Sequence, residues 1–302
     1  MAEGLVGLGT PGTRLSIVVA CADGAPSPAA SLRALREACN GVGCAIILAH
    51  DPRHEVARNG HAAFPGTTLA RGREDASVPE LWATGALVAD GDVIAFTIPE
   101  CVVGPHWPRA LLEAIQAGAT GAGGGFALSQ DASLVTRAVY FLRYSAFLPR
   151  AGAETGVEIA GDNAAYSADA LRRHRDALTR GFWEVEFHHL IRAEGATLAM
   201  VPEATATFHG PIRFTAIWRQ RLAHGRHFGA WRVRELGESP WRIWAAAPLV
   251  PAVLVVRILR RLRGHPGLRA RALPALPVIL ALALAWACGE ALGALGAGAG
   301  DA

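Results

Sequence analysis

Two glutamates, Glu184 and Glu186, are best suited by type and position to acid–base chemistry. They open the run 181–195, in which apolar residues recur at helical spacing behind an acidic first turn. A carboxylate at a helix start is hydrogen-bonded by free backbone N–H groups and can be oriented into a cleft. The pattern therefore suggests a general base at Glu184 or Glu186. The alternative is a solvated helix face whose acids simply favour the N-terminal helix dipole.

Further polar residues lie on either side of this helix. A Gly-Asp-Asn turn at 161–163 precedes it, and a strand-like run at 197–201 leads from it to a lone histidine, His209. A lone histidine is more often a packed or capping residue than a metal ligand, so the sequence leaves both roles open for His209.

The first half of the chain predicts an α/β fold with a parallel sheet. Buried strands are expected at 15–21, 45–49 and 92–97, because these short apolar runs are rich in β-branched residues. Helices are expected between them, at about 31–38 and 79–89. Strands that alternate with helices in this way form a parallel sheet with helices on both faces.

Polar residues follow all three predicted strands. Asp23 follows the first strand, Asp51 the second, and Glu100 comes soon after Thr97 at the end of the third. Ligands of open parallel sheets bind at the carboxyl ends of the strands. The first half therefore predicts a nucleotide-type domain, whereas the polar residues 52–77 indicate no regular element.

The distribution of charge separates the C-terminal end from the rest. The chain has 302 residues and a formal net charge of +3, and all its basic residues are arginine. Residues 241–302 contain seven arginines and two acidic residues, so residues 1–240 together carry about −2. A nucleic-acid groove across the main domain is therefore not expected.

This C-terminal end predicts a membrane-associated segment, 241–302, after a main domain, 1–240. Apolar runs at 243–256 and 273–289 flank the arginine-rich loop 257–271. The first run contains two prolines and the second is close to the roughly 20 residues that a bilayer span needs. Arginine-rich loops stay on the cytoplasmic side. We expect the first run to lie in the interface or to re-enter; the alternative is two buried core helices of a soluble protein.

Four short motifs follow one another along the chain. They are the run 15–20, Gly85 with 89–97, the turn 161–166, and Trp183-Glu184 with Gly195, Pro202 and His209. In this order they resemble glycosyltransferase family 2 over roughly residues 13–230. Members of that family transfer a sugar from a nucleotide donor to an acceptor hydroxyl with inversion. The resemblance implies a GT-A-type, mostly parallel sheet flanked by helices, here followed by the apolar helical segment.

The resemblance also implies roles for individual residues. Glu184 matches the position of the family's catalytic base, and Glu186 matches its second acidic position. The residues implied to bind the nucleotide sugar are Asp23, Asp51, Gly85, Thr97, Asn163 and Arg221. Arg221 lies where relatives carry a phosphate contact, although a basic amphipathic helix on a lipid surface explains it equally well.

The metal-binding motif departs from the family pattern. Relatives hold a divalent metal, Mn²⁺ or Mg²⁺, with an Asp-x-Asp motif. Here Thr97 is followed by Ile98 and Pro99, so that only Glu100 remains at the third position of the motif. His209 is the second implied ligand. So few ligands imply a metal that is weakly bound or absent, with arginines neutralising the diphosphate in its place.

Together these features predict a glycosyltransferase at the cytoplasmic face of the cell membrane. Its acceptor would be lipid-linked or close to the membrane, in surface polysaccharide or glycolipid synthesis. The degenerate metal motif keeps an alternative open, a catalytically inactive GT-A-like partner in a polysaccharide assembly complex. A dehydrogenase is not favoured, because no G-x-G-x-x-G follows the first strand.

Overall fold

The structure, a computed structural model, describes residues 14–299. These residues form two compact units, and neither is continuous in sequence. The first unit comprises 14–125 and Pro149–Ala206, and the second comprises Phe126–Leu148 and 207–299. The predicted domain boundary at residue 240 falls within the second unit and stays a prediction.

Strands and helices alternate along most of the described chain. The strands are β1 Leu15–Cys21, β2 Cys44–His50, β3 Thr67–Arg71, β4 Val93–Thr97, β5 Cys101–Val103, β6 Gly121–Gly123, β7 Phe126–Leu128, β8 Glu154–Thr155, β9 Ala164–Ser167, β10 Leu198–Met200 and β11 Ala206–Phe208. The helices are α1 Ala29–Ala38, α2 Glu55–Ala63 with a break at Gly60, α3 Val78–Val88, α4 Trp107–Gln116, α5 Leu134–Tyr144, α6 Ala168–Arg173, α7 Arg175–Leu178, α8 Glu184–Ala193, α9 Phe214–Arg234, α10 Pro240–Ala246, α11 Val250–Arg261, α12 Pro266–Ala272 and α13 Leu276–Ala299.

The first unit is built on an eight-stranded sheet in the order β3-β2-β1-β4-β9-β6-β10-β8. Strands β3, β2, β1 and β4 are parallel, as are β6 and β10. Strand β9 runs antiparallel between β4 and β6, and β8 is antiparallel to β10. The predicted parallel sheet with helices on its faces is therefore confirmed, with antiparallel strands in its second half.

Alternate residues of the central strands fill a core on each face of the sheet. Ile17 and Val19 of β1 pack with leucines of α1 and α4 on one face. Phe96 of β4 stacks on Phe182 on the other face, with ring centroids 4.4 Å apart. Strand β1 is buried along its whole length, which explains its unbroken apolar sequence.

Residues 52–77 form α2 and β3, which their polar sequence does not indicate. Strand β3 lies at the edge of the sheet, and the burial of its five residues, Thr67–Arg71, is irregular. An edge strand of this kind takes its structure from pairing with β2 rather than from a hydrophobic pattern. That pairing is a tertiary contact, so the local sequence carries little sign of it.

The second unit is largely helical and contains the apolar C-terminal residues. Two of its helical stretches are long and apolar enough to cross a membrane, by length and composition alone: Pro240–Gly264, with a mean hydropathy of 1.7, and Pro266–Gly298, with a mean hydropathy of 2.0. The share buried inside the protein differs, at 11 % for the first stretch and 44 % for the second. The predicted C-terminal apolar helix is thus present as α13, which packs along α9.

Candidate active site

The carboxyl ends of β1, β2 and β4 lie side by side at one edge of the sheet. Cys21 is in register with His50, and Val19 is in register with Thr97. The backbone N–H of Asp51 donates to the Cys21 carbonyl oxygen at 3.0 Å, which extends this pairing beyond the strands. The edge predicted to bind a ligand therefore exists, and it carries the polar residues that follow each strand.

Asp23 and Asp51 meet at this edge around one guanidinium group, that of Arg53. Asp51 is fully buried, and its Oδ1 accepts from the Arg53 backbone N–H at 2.8 Å and from Arg53 Nε at 3.3 Å. Arg53 also pairs with Asp23 at 3.5 Å and with Asp75. Burial would raise the pKa of Asp51, but the hydrogen bonds from Arg53 outweigh burial and lower the pKa. Asp51 therefore stays an anionic acceptor.

Arg53 is a residue that sequence reasoning missed. Its backbone N–H bonds the side chain of Asp51 two residues earlier, which is an Asx turn. The Asp-Pro-Arg sequence at 51–53 was the available signal, because aspartate followed by proline favours such a turn. The turn bends the chain back at the end of β2, so that Arg53 reaches the aspartates.

Thr97 ends β4 beneath the indole ring of Trp82. Trp82 Nε1 donates to the Thr97 carbonyl oxygen at 2.9 Å, and its ring packs against Phe96 and Phe182. The buried Thr97 Oγ1 has no hydrogen-bond partner among the described residues. Trp82 therefore joins α3 to the end of β4.

Glu184 is the first residue of α8 and lies beside Trp82 and the Gly161 turn. A Cβ added at Gly161 would be 3.4 Å from the Cβ of Glu184 and 3.2 Å from Cζ3 of Trp82. Trp82 also bonds the last residue of β4, so the Gly161 turn lies between Glu184 and a side chain that reaches the carboxyl end of that strand. Glu184 is half-buried, whereas Glu186 is buried, with 9 % of its surface exposed.

A glycine turn brings the start of α8 to that position. Gly181 has φ of 105°, a conformation that L side chains rarely adopt. The next residue, Phe182, donates its N–H to the Pro79 carbonyl oxygen at 2.8 Å, which ties the turn to the first turn of α3. The predicted helix start at Glu184 is confirmed.

A hydrogen-bonded chain holds α8 one turn below Glu184; Tyr166 and His188 in it are buried, whereas Glu158 is exposed. The Glu158 carboxylate only accepts, so His188 Nδ1 donates to Glu158 Oε2 at 2.9 Å. His188 Nε2 then accepts from the hydroxyl of Tyr166 at 2.7 Å. Arg192 pairs with the second oxygen of Glu158. His188 follows Glu184 by four residues and shares its helix face, so the chain fixes the turn that carries Glu184.

The hydrogen bonds of Glu158 make the stability of the fold depend on pH under acidic conditions. The hydrogen bond from His188 and the pairing with Arg192 outweigh burial and lower the pKa of Glu158 from 4.5 to about 2. A carboxylate with a depressed pKa stabilises the fold above its unfolded pKa, and that stabilisation is lost as pH falls through the folded pKa. We expect Glu158→Gln to lower the melting temperature at pH 7, with a difference that shrinks between pH 4.5 and pH 2. Thermal melts across this range test it, and a difference independent of pH would contradict it.

Asn163 is fully buried, and contacts within the first unit use its side chain. Its Nδ2 donates to the carbonyl oxygens of Gly125 at 3.1 Å and Ala204 at 3.0 Å. Its Oδ1 accepts from Trp107 Nε1 at 2.5 Å. The Gly-Asp-Asn turn therefore joins three segments of the first unit, and the predicted contact of Asn163 with a nucleotide sugar stays a prediction.

Gly85 is explained by packing alone. It lies on α3 where the helix crosses β1, and an added Cβ would overlap Val18 Cγ1. The absence of a side chain lets the helix approach the strand closely. Its predicted role in binding the nucleotide sugar remains a prediction.

Arg221 and His209 belong to the second unit. The Arg221 guanidinium lies 4.3 Å from the centroid of the Trp286 ring, and burial, followed by the charge of Arg143, lowers its pKa to about 9. His209 follows β11, and burial lowers its pKa, although the charge of Asp131 acts in the opposite direction. Neither observation tests the predicted phosphate contact or the predicted metal ligand.

Glu100 belongs to the first unit and comes three residues after the end of β4. Burial raises the pKa of Cys21 at the end of β1, and the negative charges of Glu100 and Glu55 act in the same direction. Within residues 14–299, no group of three or more His, Cys, Asp or Glu side chains is arranged to hold a metal. Glu100 still fits a Mg²⁺-type site, because such an ion is often held by one carboxylate and the oxygens of the bound phosphates.

Comparisons with known proteins agree with this architecture. No protein-family model matches the chain, and no curated protein matches it. Among solved structures, the chain is similar to the mannosyltransferase PcManGT from Pyrobaculum calidifontis in complex with GDP-Man and Mn²⁺. The TM-score is 0.51 at 15 % identity, over 92 % of this chain and 87 % of that chain. The fold is therefore α/β and GT-A-like, as the sequence predicts.

Proposed function

We propose that this protein is an inverting glycosyltransferase that uses a nucleotide-sugar donor. The observation that carries the proposal is the position of Glu184 in a GT-A-like fold: this helix-starting carboxylate flanks the Gly161 turn, whose other neighbour, Trp82, bonds the end of β4. One solved structure with a similar fold is a mannosyltransferase in complex with GDP-Man and Mn²⁺. A nucleoside diphosphate linked to a sugar is accordingly the class of donor proposed here.

Glu184 is the proposed general base. Its carboxylate takes the proton of the acceptor hydroxyl while the hydroxyl oxygen bonds to the anomeric carbon. The bond from that carbon to the diphosphate oxygen breaks on the opposite face, and its electron pair leaves with the nucleoside diphosphate. The configuration at the anomeric carbon is thereby inverted. Glu186, two residues later and buried, is the fallback candidate.

Asp23 and Asp51 are proposed to bind the nucleoside of the donor. Both are paired with Arg53, and the ionised Asp51 can accept hydrogen bonds from a base or a ribose. Thr97 lies at the adjacent strand end, with a buried hydroxyl that no described residue satisfies. Glu100 is proposed to hold a divalent metal against the diphosphate, a charge that such a leaving group needs.

The acceptor is proposed to be lipid-linked or close to a membrane, on the cytoplasmic side. Support comes from the two apolar helical stretches of the second unit and from the arginine-rich residues 257–271, where the two stretches meet. Such an acceptor belongs to the synthesis of a surface polysaccharide or a glycolipid.

A thermal-shift experiment tests the donor site. Detergent-solubilised protein is screened against UDP, GDP, TDP and CMP, each with and without Mn²⁺. One nucleotide with Mn²⁺ at a hundredfold excess over its Kd should raise the melting temperature by about 5 °C, because ligands that bind only the folded state stabilise it by mass action. Glu100→Ala should abolish the part of the rise in melting temperature that depends on Mn²⁺. The control variant Glu37→Ala, on the exposed side of α1, should keep it.

The same experiment distinguishes the proposed glycosyltransferase from a second candidate function, a catalytically inactive partner in a polysaccharide assembly complex. That candidate is favoured by Ile98 and Pro99, which replace two acids of the metal motif. An inactive partner without a donor site would show no shift with any nucleotide. A shift without turnover of any nucleotide sugar would indicate binding without transfer.

A further inference from the structure

Helix α13 is a core helix of the second unit with one exposed apolar side. Leu280, Leu284 and Leu292 are 44 %, 48 % and 53 % exposed and lie on successive turns, together with the exposed Cys288. The other sides of α13 contact α5, α9, α10 and α11. A helix that crosses a bilayer alone would contact lipid on every side, whereas α13 exposes only this one stripe of apolar residues.

Helix α9 packs very closely against the side of α13 that faces away from solvent. Added Cβ atoms at Gly225 and Gly229 of α9 would overlap backbone atoms of α13, and the same holds in reverse for Gly289 and Gly293. Arg232 of α9 also donates to the buried Glu290 of α13 at 2.5 Å. The two helices are therefore fixed together along their central turns.

This packing conflicts with a membrane-crossing α13. Helix α9 exposes Arg219 and Arg226 to solvent within the part that accompanies α13. If the central turns of α13 lay in the hydrocarbon, these two arginines would lie there too, and neither forms an ion pair with an acidic residue within 14–299. Charged side chains at the bilayer centre are expensive and almost always face a protein interior. The arginines of α9 therefore argue against a membrane crossing more strongly than the length and hydropathy of α13 argue for one.

The preceding apolar stretch has the features of an interfacial segment. Trp241 and Trp244 of α10 are 68 % and 52 % exposed, and Val253 of α11 is 43 % exposed. The stretch is divided into α10, a 3-10 turn and α11, and α11 ends in the exposed Arg257 and Arg260. Exposed tryptophans beside basic residues are typical of helices that lie at the headgroup level.

The positive charge of residues 239–289 favours a membrane that contains anionic lipids. No acidic residue occurs between Glu238 and Glu290, whereas the same interval contains seven arginines. Anionic lipid headgroups attract basic segments close to the bilayer surface. An anionic bilayer therefore complements both the apolar stripe and the arginines.

We propose that the second unit lies on one leaflet of an anionic membrane and does not cross it. Its membrane-docking face consists of Trp241, Trp244, Val253, Leu280, Leu284 and Leu292. The proposal concerns a surface outside the donor site, so that a nucleotide-induced thermal shift is independent of its outcome.

A vesicle experiment tests the docking face. Full-length protein is sedimented with phosphatidylcholine vesicles that contain or lack 30 % phosphatidylglycerol, an amount chosen as about the anionic content that recruits basic segments. We expect binding to the anionic vesicles that weakens as salt is raised, and a roughly tenfold loss of partitioning in Leu284→Glu. Leu87→Glu, at a leucine of the first unit that is 58 % exposed, is the matched control and should bind normally.

Equal binding of Leu284→Glu and wild type, or equal binding to neutral and anionic vesicles, would overturn the docking face. A melting curve shows whether Leu284→Glu is folded. If it is not, Trp241→Ser with Trp244→Ser replaces it, because both tryptophans are largely exposed and their loss leaves the core intact.

A protease experiment tests whether the chain crosses the bilayer. A cleavage site is inserted after Gly41, after Gly264 or after Ala302, and sealed membrane vesicles are treated from one side. If the unit lies on one leaflet, all three sites are cut in the same vesicles. A crossing by both apolar stretches would protect the site after Gly264, and a crossing by α13 alone would protect the site after Ala302. Either protection pattern would overturn the proposal.

Discussion

Glu184→Gln should lower the kcat of sugar transfer by about a thousandfold, which corresponds to about 4 kcal/mol of lost transition-state stabilisation. Glutamine keeps the size and the hydrogen-bonding oxygen of the side chain but cannot accept a proton. Glu184 lies beside the Gly161 turn, where the substitution changes no volume. The measurement is the turnover of the nucleotide sugar that gives a thermal shift, in membranes that contain the acceptor.

Glu186→Gln is the matched control, because this glutamate lies two residues later on the same helix and is buried. We expect it to lose less than tenfold in kcat, about 1.4 kcal/mol. The thermal shift with nucleotide should survive in both variants, since neither residue is proposed to bind the nucleoside. If Glu184→Gln keeps full activity while Glu186→Gln loses it, the base is Glu186 and the assignment made here is wrong.

Gly293→Ala should destabilise the second unit by about 3 kcal/mol, at the upper end of what added methyl groups cost in a packed interior. The added Cβ would overlap the carbonyl oxygen of Arg226, a backbone atom of α9 that cannot turn aside. The two helices must separate along their whole contact to accommodate it. A chemical denaturation curve followed by tryptophan fluorescence, to which Trp286 near this contact contributes, measures the change.

Gly296→Ala in the same helix is the control for Gly293→Ala. A Cβ at Gly296 meets no atom within 4 Å. Alanine is a better helix former than glycine by about 1 kcal/mol, so this variant should be as stable as the wild type or more stable. Similar curves for the two variants would mean that α9 and α13 are not packed as described.

Strands β1, β2, β4 and β10 and the start of α8 could be predicted from sequence, because each depends on a local pattern. Continuous β-branched runs indicate β1 and β4, and an acidic first turn indicates the helix that begins at Glu184. The proximity of Asp23 and Asp51 also follows, since both come after parallel strands that are neighbours. These inferences need only periodicity and the general geometry of parallel sheets.

Other parts of the site depend on contacts between distant segments, which no local pattern encodes. The indole N–H of Trp82 donates to the backbone of Thr97, fifteen residues away, and the residues next to Trp82 in sequence give no sign of this contact. The Tyr166–His188–Glu158 chain joins a strand, a helix and a loop. In sequence His188 is one of two adjacent histidines, and nothing local distinguishes the buried one from its exposed neighbour His189.

The discontinuity of both units determines the order in which this chain can fold during synthesis. Residues 126–148 leave the ribosome early, but the helices that bury them lie beyond residue 207. The apolar side of helix α5 therefore stays uncovered until α13 has been synthesised, more than a hundred residues later. Contacts between distant segments form late and expose apolar surface while they wait. A truncation at residue 240, meant to yield a more soluble protein, would make that exposure permanent and should favour aggregation.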